Sequence, residues 1–256
     1  MGLPYNIAVR TEIAARLISL NHQFYQTFAL QFSATRMRLQ PGVRRILEIL
    51  PSLAVILDLG CGNGELARQL AHRNFQGWYI GLDFSSEMLA EAQRKPLEQL
   101  KALFFKADIS SPDWFTAIQT RHTELLDRPL DVVLAFAVLH HLPGADLRKL
   151  VLRRVREHLA PDGLFIHSVW QFLNSPRLRQ RIQPWESCGL GEADVDEGDY
   201  LLDWRGGGHG LRYVHHFTAE ELVGLAQETG FTIQQTFHSD GENGKLGLYQ
   251  VWQLDR

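Results

Sequence analysis

The chain has 256 residues, 45% of them apolar, and carries a formal net charge of −3 at pH 7. This composition is typical of a folded globular domain, and the slight negative charge excludes a general attraction to nucleic acids. No stretch reaches the roughly 18 apolar residues of a membrane span, so we expect no membrane partner. Cys61 and Cys188 lie far apart, without the spacing of a metal or redox motif, which predicts a reducing, cytoplasmic location.

The first fifty residues are predicted to form a helical cover, residues 1–50, in front of a main domain at residues 51–256. Apolar residues recur there at helical spacing, namely Ile13, Leu17 and Leu20 on one face, and Phe24, Phe28 and Phe32 further along. The phenylalanine stripe is interpreted either as core packing or as a platform for an acceptor. Pro41 and Pro51 bracket a short second helix.

From residue 55 onward, short apolar runs alternate with amphipathic segments. Seven runs are predicted strands, at residues 54–59, 78–83, 102–108, 131–138, 163–170, 231–237 and 246–254. Alternation of strands and helices indicates an α/β fold with a doubly wound, mostly parallel sheet. The last two runs are joined by a segment too short for a helix, which predicts an antiparallel hairpin at the sheet edge. Thr218 and Glu221 are predicted to form a capping box at the start of the last helix.

Residues 171–215 do not follow this alternation and are rich in Gly, Trp, Arg and Asp. We interpret them as an insertion over the carboxyl ends of the strands, where folds of this kind bind ligands. The alternative is a surface loop without a role.

Three closely spaced glycines, Gly60, Gly62 and Gly64, follow the first strand and precede an amphipathic helix. Glycine lets a ligand approach the backbone where a Cβ would exclude it. Their spacing after Asp58 differs from the dinucleotide motif, because the third glycine comes one residue early. The pattern therefore indicates a related nucleotide-type site with another ligand.

The next two strands each end in an acidic residue that could bind a nucleoside. Asp83 suits two ribose hydroxyls, because one carboxylate accepts both hydrogen bonds. Asp108 would accept a hydrogen bond from an adenine amino group, with the backbone of Ile109 at the ring edge. Phe84 and Met88 would form apolar walls for the base. The predicted ligand is a nucleoside and not a dinucleotide.

Five sequence elements follow one another between Val55 and about Trp170: D-x-G-C-G-x-G, the acidic strand end, KADI, DVVLAFAVLHHL and LAPDGLFIHSVW. In this order and spacing they resemble the class I S-adenosylmethionine-dependent methyltransferases. The resemblance implies a Rossmann-like, seven-stranded sheet in the order 3-2-1-4-5-7-6 with strand 7 antiparallel, and S-adenosyl-L-methionine as the cofactor. It also implies that the three glycines contact the methionine part. The further expected cofactor-binding residues are Tyr25, Arg36, Asp58, Cys61, Ala135 and Phe136.

The flanking segments resemble the tRNA wobble-uridine carboxymethyl methyltransferases, which esterify a 5-carboxymethyl group. The segments FYQTFALQFSATR, DYLLDW and LRYVHHF carry this likeness. The chain departs from the family pattern at Arg205 and Val214, and its glycines at 206–208 are extra. These changes lie where the acceptor is expected, so a small-molecule acceptor and a non-catalytic cofactor-binding scaffold stay open as alternatives.

A carboxylate acceptor is ionised at neutral pH, so its methylation needs neither a metal nor a general base. It needs a cation, and an arginine fork binds carboxylate with two hydrogen bonds. Arg36 and Arg212 are the candidates, with solvated surface charges as the alternative. His140 or His141, after the fourth strand, would contact the acceptor or act as a base, unless the pair is only a feature of the fold.

Basic residues at 36–45, 153–156 and 177–181, together with Trp185 and Trp204 for base stacking, allow tRNA as a partner. The need for an activator subunit stays open.

Overall fold

The computed structural model describes residues 9–29, 31, 38–94, 97, 100–119 and 128–255. The α-helices are α1 (Thr11–Thr27), α2 (Pro41–Leu47), α3 (Glu65–His72), α4 (Ser86–Arg94), α5 (Trp114–Gln119), α6 (Ala145–His158), α7 (Pro176–Arg179) and α8 (Ala219–Glu228). The strands are β1 (Val55–Leu59), β2 (Trp78–Asp83), β3 (Lys101–Lys106), β4 (Leu130–Phe136), β5 (Leu159–Trp170), β6 (Ile182–Gln183), β7 (Asp199–Trp204), β8 (Gly210–His215), β9 (Phe231–Ser239) and β10 (Gly247–Leu254).

Seven of these strands form a mixed sheet in the order β3-β2-β1-β4-β5-β10-β9. Strands β1 to β5 are parallel, whereas β10 runs antiparallel to both β5 and β9. The predicted order is confirmed, because β9 and β10 are the sixth and seventh strands of the α/β core. The carboxyl ends of β1, β2 and β4 meet at one edge, which is where a ligand binds in such sheets.

Helices cover both faces of this sheet. Val55, Leu57 and Leu59 of β1 pack into a core with residues of α5, α6 and α8. Ile56, between them, packs into a second core with residues of α2, α3 and α4. Because successive side chains of a strand point to opposite faces, one short strand connects both cores. The doubly wound architecture is confirmed.

A second sheet, β6-β7-β8, lies in the segment that we interpreted as an irregular insertion. Ile13 and Leu17 of α1 pack on Leu201 and Tyr213 at one of its faces, and Phe172, Leu178, Leu202 and Val214 pack at the other. Both faces are covered, so β7 lacks the alternating pattern that reveals a strand in sequence.

The N-terminal helices therefore pack on two different sheets, since α2 belongs to the core of the main sheet. The division into residues 1–50 and 51–256 stays a prediction. Phe24 and Phe28 are buried, and Phe32 lies outside the described residues. The proposed stacking role of Trp185 was wrong, because its side chain is 3% exposed and packs in the core beneath α1.

Only half of the predicted capping box forms. The hydroxyl of Thr218 accepts a hydrogen bond from the Glu221 backbone N–H at 3.0 Å. The Glu221 carboxylate instead pairs with His215 and Arg148. Charged donors give stronger hydrogen bonds than a backbone amide, which explains the difference.

Candidate cofactor and acceptor site

A cavity of about 660 Å³ opens at the carboxyl ends of β1, β2, β4 and β5, with α1 and the β7–β8 hairpin at its sides. This volume is within the range of small-molecule sites. Most of the sequence-predicted site residues line it: Tyr25, Asp58, Gly60, Cys61, Gly62, Asp83, Phe84, Met88, Asp108, Ile109, Phe136, His140 and Arg212. Gly64 and Ala135 are not among the lining residues. Arg36 lies outside the described residues.

The glycine loop takes a backbone conformation that favours glycine at all three positions. The φ angles of Gly60, Gly62 and Gly64 are +73°, +55° and +75°, in the left-handed region. A Cβ on Gly64 would lie 2.8 Å from the Cβ of Ala92, so this glycine allows close packing on α4. A Cβ on Gly62 would meet no atom within 4 Å. Gly62 thus presents bare backbone to open space at the cavity, which suits the close approach of a ligand.

Asp83 is fixed by backbone donors at the end of β2. The N–H of Gly62 donates to Oδ2 at 2.9 Å, and the N–H of Ser85 donates to Oδ1 at 2.8 Å. Burial raises the pKa of Asp83 above its usual value, although these hydrogen bonds lower it in part. Each carboxylate oxygen has a second lone pair, so the side chain can still accept two hydroxyl groups from the cavity.

Asp108 is oriented by Ser110, whose backbone N–H and hydroxyl donate to Oδ1 at 2.9 and 2.6 Å. Its other oxygen, Oδ2, lies 3.4 Å from Nε2 of His22 in α1. The ring of His22 also stacks on Phe84, with centroids 4.3 Å apart. The imidazole of His22 therefore contacts both Phe84 and Asp108, the two groups that are expected to recognise adenine.

Asp58, on β1, and Cys61, within the glycine loop, are both buried. The hydroxyl of Tyr79 donates to Asp58 at 2.5 Å. Burial raises the pKa of Asp58 to about 7, with a further contribution from the charge of Asp83. Burial and the two nearby carboxylates raise the pKa of the Cys61 thiol well above 9. Thiolate chemistry at Cys61 is therefore unfavourable, whereas Asp58 titrates in the physiological range.

Arg212, on β8, carries a buried positive charge at the opposite side of the cavity. Its side chain is 8% exposed, and its guanidinium carbon lies 4.7 Å from the ring centroid of Trp170, 5.4 Å from that of Phe24 and 5.8 Å from that of Trp204. Aromatic faces stabilise a guanidinium group and exclude water from it. A charge in such surroundings attracts an anion more strongly than one in bulk water.

Both histidines of the pair are held by hydrogen bonds at the cavity. Nδ1 of His140 accepts the backbone N–H of Trp170 at 3.3 Å. Nδ1 of His141 lies 3.2 Å from the carbonyl oxygen of Tyr213 and 3.5 Å from the side-chain amide nitrogen of Asn21. Nε2 of His141 lies 2.7 Å from the hydroxyl of Tyr25, within hydrogen-bond distance. His141 thus connects α1, β8 and the end of β4, and orients Tyr25 at the cavity.

A family model described as a methyltransferase domain matches residues 32–236. The chain belongs to this methyltransferase family. It is an S-adenosylmethionine-dependent methyltransferase, with S-adenosyl-L-methionine as its cofactor. A solved S-adenosylmethionine-dependent methyltransferase from Methanosarcina mazei has the same fold, with a TM-score of 0.62, 24% identity, and coverage of 85% of this chain and 99% of that one.

Of three curated relatives, two have names that state an acceptor, and the two acceptors differ. A protein of Encephalitozoon cuniculi, described as a methyltransferase, is 27% identical over 83% of this chain and 87% of its own length. The tRNA (carboxymethyluridine(34)-5-O)-methyltransferase of Arabidopsis thaliana is 32% identical over 58% of this chain. The trans-aconitate 2-methyltransferase of Pseudomonas aeruginosa is 31% identical over 73% of this chain. The methyltransferase spans 32% of the Arabidopsis enzyme and 58% of the Pseudomonas enzyme.

Several residues that sequence reasoning did not identify also line the cavity of the methyltransferase: Ile18, Asn21, His22, Leu39, Asn63, Asp240 and Tyr249. Ile18, Asn21, His22 and Tyr25 follow a helical spacing that could have revealed a second functional face of α1. Asp240 and Tyr249 come together only through the β9–β10 hairpin, where the Tyr249 hydroxyl donates to Asp240 at 2.5 Å. No local sequence pattern predicts such a pair.

Two features are absent from the part of the chain that the structure describes. No group of three or more His, Cys, Asp or Glu side chains there is placed to hold a metal ion. No helix in the same residues combines the length and apolar character needed to cross a lipid bilayer.

Proposed function

We propose that this methyltransferase esterifies a carboxylate, and that its acceptor is the carboxymethyl group of a modified wobble uridine in tRNA. The observation that carries the carboxylate assignment is Arg212, a buried guanidinium at the cavity wall between three aromatic rings. A buried cation with room for a ligand favours an anionic acceptor, because the two charges compensate each other away from water.

The residues at the strand ends fit the cofactor. Asp83 accepts the two ribose hydroxyls, Asp108 accepts the amino group of the base, and Gly62 leaves space for the methionine part. Asp58, on β1, contributes negative charge. When bound, S-adenosylmethionine supplies the methyl group, whose bond to sulfur breaks as the carboxylate oxygen forms the new bond to carbon, with the electron pair staying on sulfur.

Arg212 holds the acceptor carboxylate and limits its rotation. No proton leaves a carboxylate acceptor, so His140 and His141 need not act as bases. His141 instead orients Tyr25, and His140 accepts the backbone N–H of Trp170. The contribution of the protein is to fix the position of two reactants, which can supply about 7–11 kcal/mol of the barrier.

The likeness of the flanking segments to the tRNA methyltransferases supports the wobble uridine as acceptor. A small polycarboxylic acid is the second candidate. It is favoured by the similarity to trans-aconitate 2-methyltransferase over 73% of the chain, and by the position of α1 and the β7–β8 hairpin beside the cavity.

The test is transfer of a radioactive methyl group to total tRNA and, separately, to a mixture of small carboxylic acids. A methyl ester is recognised by release of the label in mild alkali. Arg212→Gln should lower kcat/KM about 10- to 100-fold, the equivalent of losing a charge-assisted hydrogen bond of about 1.5–3 kcal/mol. Cofactor affinity should stay within twofold, and Arg94→Lys, at a remote exposed ion pair with Glu91, serves as control. Label stable to alkali, or full activity of Arg212→Gln, would contradict the proposal.

A further inference from the structure

Two arginines, one on α7 and one in the turn that follows it, lie at the mouth of the cavity. Arg177 and Arg181 both line it and are four residues apart, with the helical turn extended by a hydrogen bond from the Arg181 N–H to the carbonyl of Leu178 at 3.0 Å. Arg177 thus reaches the cavity from the helix, and Arg181 reaches it from the turn two residues beyond the end of the helix. Leu178, between them, is buried against the β6-β7-β8 sheet. Arg179, on the same helix, is exposed and does not line the cavity.

The charge of these two arginines is not compensated by the part of the protein that the structure describes. There, neither guanidinium group has a carboxylate within 4.0 Å. Their neighbour Arg205, in contrast, pairs with Asp203 at 2.7 Å. The backbone of Arg181 is fixed, because its carbonyl accepts the N–H of Asp203 at 2.9 Å. The mouth therefore carries two uncompensated positive charges, on α7 and on the anchored turn that follows it.

The same cavity thus has positive charge both at a buried position and at its entrance. Arg212 is 8% exposed and enclosed by rings, whereas Arg177 is exposed and Arg181 is half-buried at the entrance. A single acceptor carboxylate at Arg212 leaves Arg177 and Arg181 without an anion in the described part of the protein. We propose that the acceptor is a polyanion, with its reacting carboxylate at Arg212 and a second anionic group bound by Arg177 and Arg181. This inference rests on the proposed function in taking the reacting group to be a carboxylate.

The second group has anionic oxygens in either of two sources, a further carboxylate of a small polyacid or a backbone phosphate of RNA. Guanidinium forks bind both with paired hydrogen bonds. The two sources differ in salt dependence, because phosphate contacts on RNA release condensed counterions. A monoanionic acceptor of the same size would leave the two arginines unused.

The experiment measures binding by calorimetry to the full chain saturated with S-adenosylhomocysteine, so that no turnover occurs. The probes are propane-1,2,3-tricarboxylate, butanoate and an anticodon stem–loop RNA. Native protein should bind the tricarboxylate or the RNA at least tenfold more tightly than butanoate. The double variant Arg177→Gln/Arg181→Gln should lose at least tenfold of that affinity and bind butanoate as native protein does. The matched control Arg179→Gln, on the same helix, should stay within twofold.

If the double variant loses affinity for the tricarboxylate, the second anionic group is a carboxylate of a small polyacid. If it loses affinity for the RNA, the group is a backbone phosphate. Native-like binding of both polyanions by the double variant overturns the proposal, and so does equal native affinity for butanoate and the polyanions. An unchanged melting temperature of the double variant verifies its folding. The double variant could lose polyanion binding while the native protein forms no alkali-labile methyl ester in the transfer assay. That result would support this anion site and reject the proposed function.

Discussion

The imidazole of His22 lies over the phenyl ring of Phe84, with centroids 4.3 Å apart and ring planes inclined by 23°. Nε2 of the same imidazole is 3.4 Å from Oδ2 of Asp108. α1 therefore reaches across the cavity to the ends of β2 and β3. His22 makes there the two contacts expected of an adenine ring, which are stacking on Phe84 and donation to Asp108.

We expect His22→Ala to tighten binding of S-adenosylhomocysteine, because the base no longer competes with the imidazole. A stacked ring pair contributes about 0.5–1.5 kcal/mol, and a partly exposed ion pair adds at most about 1 kcal/mol. The expected gain is therefore about fivefold in Kd, measured by calorimetry. Gln23→Ala, at the exposed neighbouring position in α1, is the control. Weaker binding by His22→Ala would mean that the imidazole forms part of the pocket.

The contrast between Gly62 and His22 indicates which parts of the site can be predicted from sequence. Gly62, Asp83 and Asp108 were identified because a strand, a turn and the start of a helix are local, and the chemistry of each residue is apparent within a few positions. The alternation indicated a mostly parallel sheet, whereas the strand order was implied by the family resemblance. His22 contacts residues far along the chain, so its own neighbourhood contains no sign of that role.

The acceptor side was harder to predict for a related reason. The aromatic surroundings of Arg212 depend on α1, β5 and the β7–β8 hairpin coming together. That hairpin belongs to a sheet whose strands are covered on both faces and lack alternation. The sequence indicated Arg212 as a candidate only through a family likeness, and long-range packing determines what surrounds it.

Gly62 and Gly244 allow a matched test of the glycine loop. Both have positive φ, +55° and +66°, and a Cβ on either would meet no atom within 4 Å. Alanine should therefore cost each position about 1–2 kcal/mol of unfolding free energy through backbone strain alone. Only at Gly62 does the added methyl group occupy space needed by the cofactor.

Gly62→Ala is accordingly expected to weaken S-adenosylhomocysteine binding at least tenfold, whereas Gly244→Ala binds normally. Calorimetry gives the affinities, and thermal unfolding checks that the two variants lose similar stability. Equal affinities for the two variants would show that the loop does not approach the cofactor.

Asp58 is expected to make cofactor binding dependent on pH. Burial raises its pKa to about 7, and a positively charged ligand favours the ionised carboxylate. Binding should therefore release a proton near pH 7, and affinity should fall as the pH is lowered from 8 to 6. Calorimetry at pH 7 in two buffers of different ionisation enthalpy measures the proton directly.

Two variants identify the titrating group. Asp58→Asn should remove the buffer dependence. Tyr79→Phe removes a hydrogen bond that lowers the pKa of Asp58, so it should shift the fall in affinity to higher pH. The same buffer dependence in native protein and Asp58→Asn would assign the proton to another group.

His215 is expected to link stability to pH through the contact between the second sheet and α8. Its Nδ1 lies 2.6 Å from Asp199 and its Nε2 lies 2.9 Å from Glu221, and Arg148 faces the same group. Burial alone would lower the pKa of His215, but the two carboxylates outweigh it and raise the pKa above 6.5. The folded state therefore holds this proton more tightly than the unfolded chain.

The stabilisation is fully present below pH 6.5 and is lost as the pH rises through the raised pKa of His215. His215→Gln should cost about 3 kcal/mol of unfolding free energy at pH 6, because it leaves the buried carboxylate of Asp199 without its cation. The difference in Tm from native protein should shrink between pH 6 and 9. His167, whose pKa is lowered to about 3 by burial, destabilises the fold in acid, but native protein and the variant share this effect and it cancels in the difference. His238→Gln, at an exposed position, should match native protein throughout, and a Tm difference for His215→Gln that does not change with pH would rule out this linkage.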